Sequence, residues 1–276
     1  MRPGAAAAGL RSPSDAAVTA SVDRASSVSS LALGGLTVGP FQSNCYILGP
    51  TSAGSLVLID PGDEAGRIQS SIDATEGELA AIVLTHAHLD HVGAVAAIKR
   101  RWDVPIWLHA AGLPLYERAS EQGAAFGLTI EQPPTPDREL KPGEPVVIDE
   151  LEFEVRHTPG HSPGSVTLVG GPGAFVGDAV FAGSIGRTDL PGGDTQTLLD
   201  AIVTEIFSLP PQTRLFPGHG PETTVAAETA TNPFFTGLLE ACLSCGAPLP
   251  LRKAGCKAGH CPQCAHPYPH GDCSDG

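Results

Sequence analysis

Between His86 and His91 the chain places three imidazoles and a carboxylate: His86, His88, Asp90 and His91. Imidazole nitrogen and carboxylate oxygen are donors that zinc, iron and manganese accept. In extended backbone, side chains two apart point the same way, so His86 and His88 can grip one ion. Asp90 and His91 lie past a chain reversal and can face a second. A merely structural role for so many polar groups is costly, since each buried without a partner loses about 1–3 kcal/mol.

The flanking sequence supplies elements to hold them. The aliphatic run Ala81–Leu84 reads as a buried strand. The small apolar segment from Val92 to Ile98 predicts the start of a helix, with Lys99, Arg100 and Arg101 in its last turn. Upstream, Cys45–Leu48 and Leu56–Asp60 predict strands, the second closed by the turn Asp60-Pro61-Gly62. Cys45 reads as a small buried hydrophobe. Downstream, Val104–Leu108 predicts a strand and Ala110–Glu121 helical structure. Val146–Ile148 and Leu151–Val155 predict a hairpin across Asp149-Glu150. Thr195–Phe207 predicts a helix capped by Asp194 or Thr195, and Thr223–Thr229 the start of a last one.

The run His-x-His-x-Asp-His resembles the signature of the metallo-β-lactamase superfamily, the αββα metallohydrolases. The resemblance implies three further ligands, all present in order. They are His161 in Thr158-Pro159-Gly160-His161-Ser162, Asp178 in Gly177-Asp178, and His219 in Phe216-Pro217-Gly218-His219-Gly220. It covers roughly Leu31 to Phe235. Periodicity alone indicates α/β or α+β; the four-layer α+β sandwich is what the resemblance implies. So is the ligand set: His86, His88 and His161 on one divalent ion, Asp90, His91 and His219 on the other, and Asp178 bridging. Zinc is the foremost expectation for both ions, with iron or manganese as alternatives. A hydroxide bridging them would be the nucleophile, oriented by Asp90 as the catalytic residue. The resemblance also puts the Asp60-Pro61-Gly62 turn near the metal loop, where Asp60 would orient a ligating His or serve only as a turn residue. His109 and His157 fall outside the motifs and are expected to be structural.

Within the superfamily, Gly183–Asp194 and Phe216–Pro221 most resemble glyoxalase II-like hydrolases. The activity implied is hydrolysis of a thioester such as S-D-lactoylglutathione, a small-molecule substrate. The helical C-terminal domain by which classical members hold glutathione has no counterpart here, so another thioester or ester is admitted. Arg187 lies nine residues past Asp178 in a glycine-rich loop expected to wall the site. By resemblance it contacts the anionic part of a substrate; alternatively it pairs with Asp189 or another loop carboxylate. Two other function classes compete. Persulfide dioxygenases share the fold and a similar Gly-Arg-Thr-Asp loop but use one iron, and a binding protein would use the C-terminal tail to recruit a protein or nucleic acid.

That tail, residues 241–276, holds Cys242-x2-Cys245 and, fifteen residues on, Cys261-x2-Cys264. The spacing fits a zinc ribbon with one structural zinc on four thiolates. Cys256, Cys273, His260, His266 and His270 offer alternative ligands, and pairing of the cysteines as disulfides, which requires an oxidising compartment, is the competing use. So short a segment buries little core, and the metal would supply its folding energy and a platform for a protein partner.

Length and composition set the frame. The 276 residues suffice for one large core plus an appendage, and 41% hydrophobic content with 33 Gly and 26 Pro indicates a soluble, loop-rich protein. Residues 1–30 form an Ala/Ser-rich stretch expected to be a disordered tail, without the apolar segment of a secretory signal. The hydrolase domain is expected over 31–240, where 26 acidic residues face 10 basic ones. A field this negative argues against nucleic acid as its partner. No apolar run reaches the roughly 20 residues that span a bilayer, and a cytoplasmic location is expected.

Overall fold

A computed structural model describes residues 31–50, 53–236 and the backbone of four short strands beyond them. The N-terminal stretch 1–30 and the cysteines of the tail, Cys242, Cys245, Cys261 and Cys264 among them, lie outside the described residues.

Two six-stranded sheets pack face to face. The first runs in chain order: β1 (Leu31–Val38), β2 (Ser43–Pro50), β3 (Ser55–Ile59), β4 (Glu78–Val83), β5 (Ile106–His109) and β6 (Arg138–Leu140). Strands β3 to β6 are parallel neighbours, joined over one face by α1 (Ala65–Asp73), α2 (Leu89–Val92), α3 (Val95–Trp102), α4 (Leu113–Tyr116) and α5 (Ala119–Ala125). The second sheet contains β7 (Val146–Ile148), β8 (Leu151–His157), β9 (Val166–Gly170) and β10 (Gly173–Gly177). After a small hairpin, β11 (Val180–Phe181) and β12 (Ser184–Ile185), come α6 (Thr195–Ala201), β13 (Arg214–Pro217), β14 (Thr223–Thr224) and α7 (Val225–Thr231). Its strand order is β14-β13-β10-β9-β8-β7, with β13 parallel to β10.

The cores follow from side-chain alternation. Leu56 and Leu58 of β3 face the helices with Ile68 and Ile98, whereas Val57 and Ile59 face the other sheet. There they meet Phe153, Leu168, Phe175 and Phe216. Ala174, Val176 and Leu215 point from the second sheet onto α6 and α7 with Leu198, Ile202 and Val225. Three apolar layers between four structural layers give the αββα order. Among the described residues no helix is long and apolar enough to cross a membrane.

Three helix expectations change in detail. The metal-loop helix is two pieces, α2 and α3, because Pro61-Gly62 packs into the gap: Ala94 N donates to Pro61 O at 3.0 Å, and a Cβ on Gly93 would strike Gly62 O. Asp90 and His91 therefore ride on a helical turn of their own. The segment 110–125 is broken into α4 and α5 after a 3-10 turn at Ala110–Gly112. The helix from Thr195 is α-helical only to Ala201 and continues as a π-helical turn, Ile202–Ile206. Its cap is Asp194, whose carboxylate accepts from Thr197 N. The hairpin Val146–Ile148/Leu151–His157 forms as expected.

Candidate metal centre

The centre lies where the C-terminal ends of β4, β8, β10 and β13 meet. Thr85 and His86 leave β4, His88 precedes α2, and Asp90 and His91 lie on it. His161 comes from the β8–β9 loop, Asp178 follows β10 and His219 follows β13. Hydrogen bonds across the sheets fix these ends. Val166 N donates to Thr85 O, and Asn44 N to Gly218 O at 2.7 Å. Asn44 Nδ2 donates to Pro217 O and Gly220 O, and Tyr46 OH to Pro217 O.

All seven residues expected from the sequence to be ligands come together. Donor atoms of His86, His88 and His161 form one group, and those of Asp90, His91 and His219 another, each with its atoms within 4.8 Å of one another. Asp178 stands between: its Oδ2 is 3.5 Å from both His161 Nε2 and His219 Nε2, and its Oδ1 is 3.4 Å from His91 Nε2. His157 and His109 stay outside, stacked on each other with centroids 4.5 Å apart.

Which ring nitrogen of each His faces inward follows from its outer partner. Asp60 is the hub. Its Oδ1 accepts from Thr85 N at 2.8 Å, and its Oδ2 from Thr85 Oγ1 at 2.6 Å and His91 Nδ1 at 3.0 Å. Having donated its proton to Asp60, the Thr85 hydroxyl accepts from His86 Nδ1 at 3.0 Å. His161 Nδ1 donates to Arg187 O at 2.8 Å, and His219 Nδ1 to Gln42 O at 3.3 Å. In the neutral rings, Nε2 of His86, His91, His161 and His219 thus carries an unshared pair toward the centre. Asp60, His86 and His91 also form a close trio, but the oxygens of Asp60 are committed to donors, so it supports ligands and is not one itself. Its φ of 51° is a left-handed conformation that Asp tolerates better than most residues.

These pairs and carboxylates fit a cation. His86 Nε2 and His161 Nε2 lie 3.2 Å apart with no proton between them. His91 Nε2 and Asp178 Oδ1 are buried without a hydrogen-bond partner. Two donors on one tetrahedral ion with bonds near 2.1 Å stand about 3.4 Å apart, the separation seen on three sides of Asp178. One pair departs: His88 Nδ1 is 2.7 Å from His161 Nε2, an N–H···N distance, and must open by about 0.7 Å to fit the same tetrahedron.

Electrostatics agree. Burial, reinforced by neighbouring imidazoles, keeps His86 neutral and pushes His88 down to about 3; burial also lowers His161. On the other side burial opposes charge on His91, but Asp90 and Asp178 outweigh it and raise that ring well above its ordinary range. Burial likewise opposes charge on His219, yet Asp178 and Asp90 lift it to about 10. Burial disfavours the Asp178 carboxylate too, and His91 more than compensates, holding it well below the usual range. This side of the centre attracts positive charge; the His86 side offers neutral lone pairs.

Several positioning residues escaped the sequence reading. Gln122 Oε1 accepts from Leu89 N at the start of α2, and its Nε2 donates to Ala87 O and Leu115 O. Glu228, fully buried, accepts from Gly183 N, Asn232 Nδ2 and Thr223 Oγ1. It holds the β11–β12 turn whose Phe181 packs edge-on against His219. No local pattern marks either residue, because the partners that tie them to the site, Leu89 N and Gly183 N, lie 33 and 45 positions away. Gly218 is required for a different reason: a Cβ there would collide with Asp178 Oδ1 and His91.

A cavity of about 600 Å³ opens over the centre, with His88, Asp90, Asp178 and His219 at its floor. Arg187 lies on its wall, but its guanidinium is held by Asp189 through two bonds of 2.7 Å.

Residues 38–219 match the family described as the metallo-beta-lactamase superfamily. A Bacillus subtilis protein described as "Probable metallo-hydrolase YqgX" is 40% identical over 205 residues, spanning 73% of this chain and 96% of that relative. The hydroxyacylglutathione hydrolase GloC of Haemophilus influenzae is 38% identical over 203 residues, 72% of this chain and 95% of its own. Among solved structures, TTHA1623 in a di-iron-bound form superposes with a TM-score of 0.67 at 45% identity, covering 73% of this chain and 99% of that one.

Proposed function

The chain belongs to the metallo-beta-lactamase superfamily, and from that premise we propose that it is a dinuclear metal-dependent hydrolase of a carboxylic thioester, the class that includes S-D-lactoylglutathione. The observation that carries this is the convergence of four imidazole lone pairs on the two sides of Asp178. His86, His88 and His161 would hold one divalent ion, Asp90, His91 and His219 the other, and Asp178 both. Such ions, zinc or alternatively iron or manganese, supply Lewis acidity to a water and to the scissile carbonyl.

The chain's own groups do the rest. Asp60, the Arg187 carbonyl and the Gln42 carbonyl hold the outer ring nitrogens, so that Nε2 of His86, His91, His161 and His219 is the atom presented to an ion; binding would release the protons that His91 and His219 hold without it. Asp90, with Oδ2 3.1 Å from His219 Nε2 and an edge on the cavity, accepts a hydrogen bond from the attacking water and aims its lone pair at the carbonyl. Water adds, the carbon–sulfur bond breaks, and acid and thiol leave. No Ser or Cys nucleophile is involved; Cys45 is buried, and burial raises its thiol well above the usual range. The relative named GloC and the di-iron form of TTHA1623 support the reaction class and the metal count respectively.

The four tail cysteines Cys242, Cys245, Cys261 and Cys264 are proposed to hold one zinc apart from this centre. Elemental analysis of the full chain, purified without chelators, is expected to find about two ions in the cavity and one zinc in the tail. The Cys261→Ser, Cys264→Ser double variant should lose one zinc and keep hydrolysis of S-D-lactoylglutathione or a simpler thioester. Equal metal in both proteins removes the ribbon. A single iron, with oxygen uptake on glutathione persulfide and no thioester hydrolysis, moves the chain to the oxygenase class.

A further inference from the structure

We infer that the cavity selects thioesters whose acyl group is bulky and apolar, and gains little from carboxylates on the leaving thiol. The inference rests on the hydrolase reading above and concerns the part of the substrate that does not react. Two aromatic rings flank the mouth: Phe41 in the β1–β2 turn and Phe126 at the end of α5, edge to face with centroids 5.5 Å apart. They are 38% and 51% exposed and lie 85 positions apart in sequence. Below them Leu115, Phe181, Ile185 and Leu190 continue the apolar wall down to the ligands. Exposed apolar surface that continues into a concave site is ordinarily covered by a ligand.

The charge on the same wall is already balanced. The cavity is lined by two arginines and no lysine. Arg187 is bidentate to Asp189, and Arg118 Nε donates to Glu121 at 2.7 Å. A glutathione thioester brings two carboxylates and an ammonium. Its carboxylates would meet guanidiniums whose charge Asp189 and Glu121 already offset, beside an acidic floor. An aryl or medium-chain alkyl acyl group needs no charged anchor and would bury the exposed faces of Phe41 and Phe126.

Four thioesters separate the possibilities: acetyl or phenylacetyl on either glutathione or N-acetylcysteamine, each assayed for kcat/KM with the metal-loaded full chain. The phenylacetyl group is expected to raise kcat/KM by about tenfold or more on both thiols, within the range one apolar contact supplies. Changing the thiol should alter it by less than about threefold, below the span of one charged hydrogen bond. Phe126→Ala and Phe41→Ala, each at an exposed side chain, should bring the phenylacetyl-to-acetyl ratio close to one, chiefly through KM. The inference is overturned if both glutathione esters lead by tenfold or more whatever the acyl group and Arg187→Ala abolishes that lead through KM, since Arg187 is then an anionic anchor. It is equally overturned if the phenylacetyl preference survives both Phe variants. Absence of hydrolysis for all four esters at full metal loading instead rejects the hydrolase reading itself.

Discussion

Asp178→Ala is expected to lower kcat/KM by at least about a thousandfold, close to 4 kcal/mol of transition-state stabilisation. Asp178 reaches both ligand groups from between them, touching His161 and His219 through one oxygen and His91 through the other. Without it each side keeps three ligands and the pair loses its common one. The fold does not depend on it. Its side chain lines the cavity, and the β10–β13 ladder and the Gly218 N to Gly177 O bond hold its position through backbone. The far-ultraviolet circular dichroism of the variant should therefore match that of the parent while bound metal falls. Near-parental turnover at full metal loading would exclude Asp178 as a shared ligand.

Asp60→Asn is expected to weaken metal binding by about 10- to 100-fold although Asp60 is not a ligand. The change is nearly isosteric, so its effect comes from the lost negative charge and from proton placement. If the amide nitrogen replaces Oδ2, it must donate to Thr85 Oγ1 and to His91 Nδ1. His91 can accept only by moving its proton to Nε2, the inward atom. Thr85, now accepting from the amide, turns its own proton toward His86 Nδ1 and drives the proton of His86 to Nε2 as well. One side-chain oxygen thus decides the tautomers of two rings. If the amide flips, its NH2 meets Thr85 N, a donor against a donor, at a cost of about 1–3 kcal/mol. The measurements are metal affinity by competition with a chromophoric chelator and the imidazole nitrogen shifts in NMR. Unchanged affinity together with Nδ1-protonated His86 and His91 would show that the rings are oriented by something other than Asp60.

The sequence was most informative where chemistry is local. Four candidate ligands in six residues announce a metal loop without any structure, and the helix cap at Asp194 is visible in its own turn. His161, Asp178 and His219 stand singly in glycine-rich loops; short motifs and a family resemblance identified them, not spacing. The layer order was illegible for a physical reason. Strands such as Leu56–Ile59 are buried on both faces, so their run of apolar residues carries no alternation to say which side meets helices and which the second sheet. The break at Gly93, the role of Gln122 and the clamp at Glu228 depend on approaches between segments distant in the chain. The same holds for the cavity mouth: neither Phe41 nor Phe126 alone suggests a binding surface, and only the fold makes them neighbours. Arg187 shows the converse, a residue whose position in the wall was legible and whose ion partner was one of two stated possibilities.

The ligand groups draw on both sheets, and this has a kinetic consequence. His86 and His88 leave the first sheet and His161 the second, so the site does not exist until the two halves have docked along the Thr85–Val166 and Asn44–Gly218 seam. A cation that binds only the docked state stabilises it in proportion to the logarithm of its concentration over its dissociation constant. Interactions that form after the folding transition state slow unfolding and leave the folding rate nearly unchanged. The ions would thus act as a late clasp, setting the lifetime of the native chain rather than the speed of reaching it. Metal-loaded and chelator-treated protein should then share one refolding limb in denaturant-jump experiments and differ in the unfolding limb; a difference confined to refolding would place metal capture before the sheets meet.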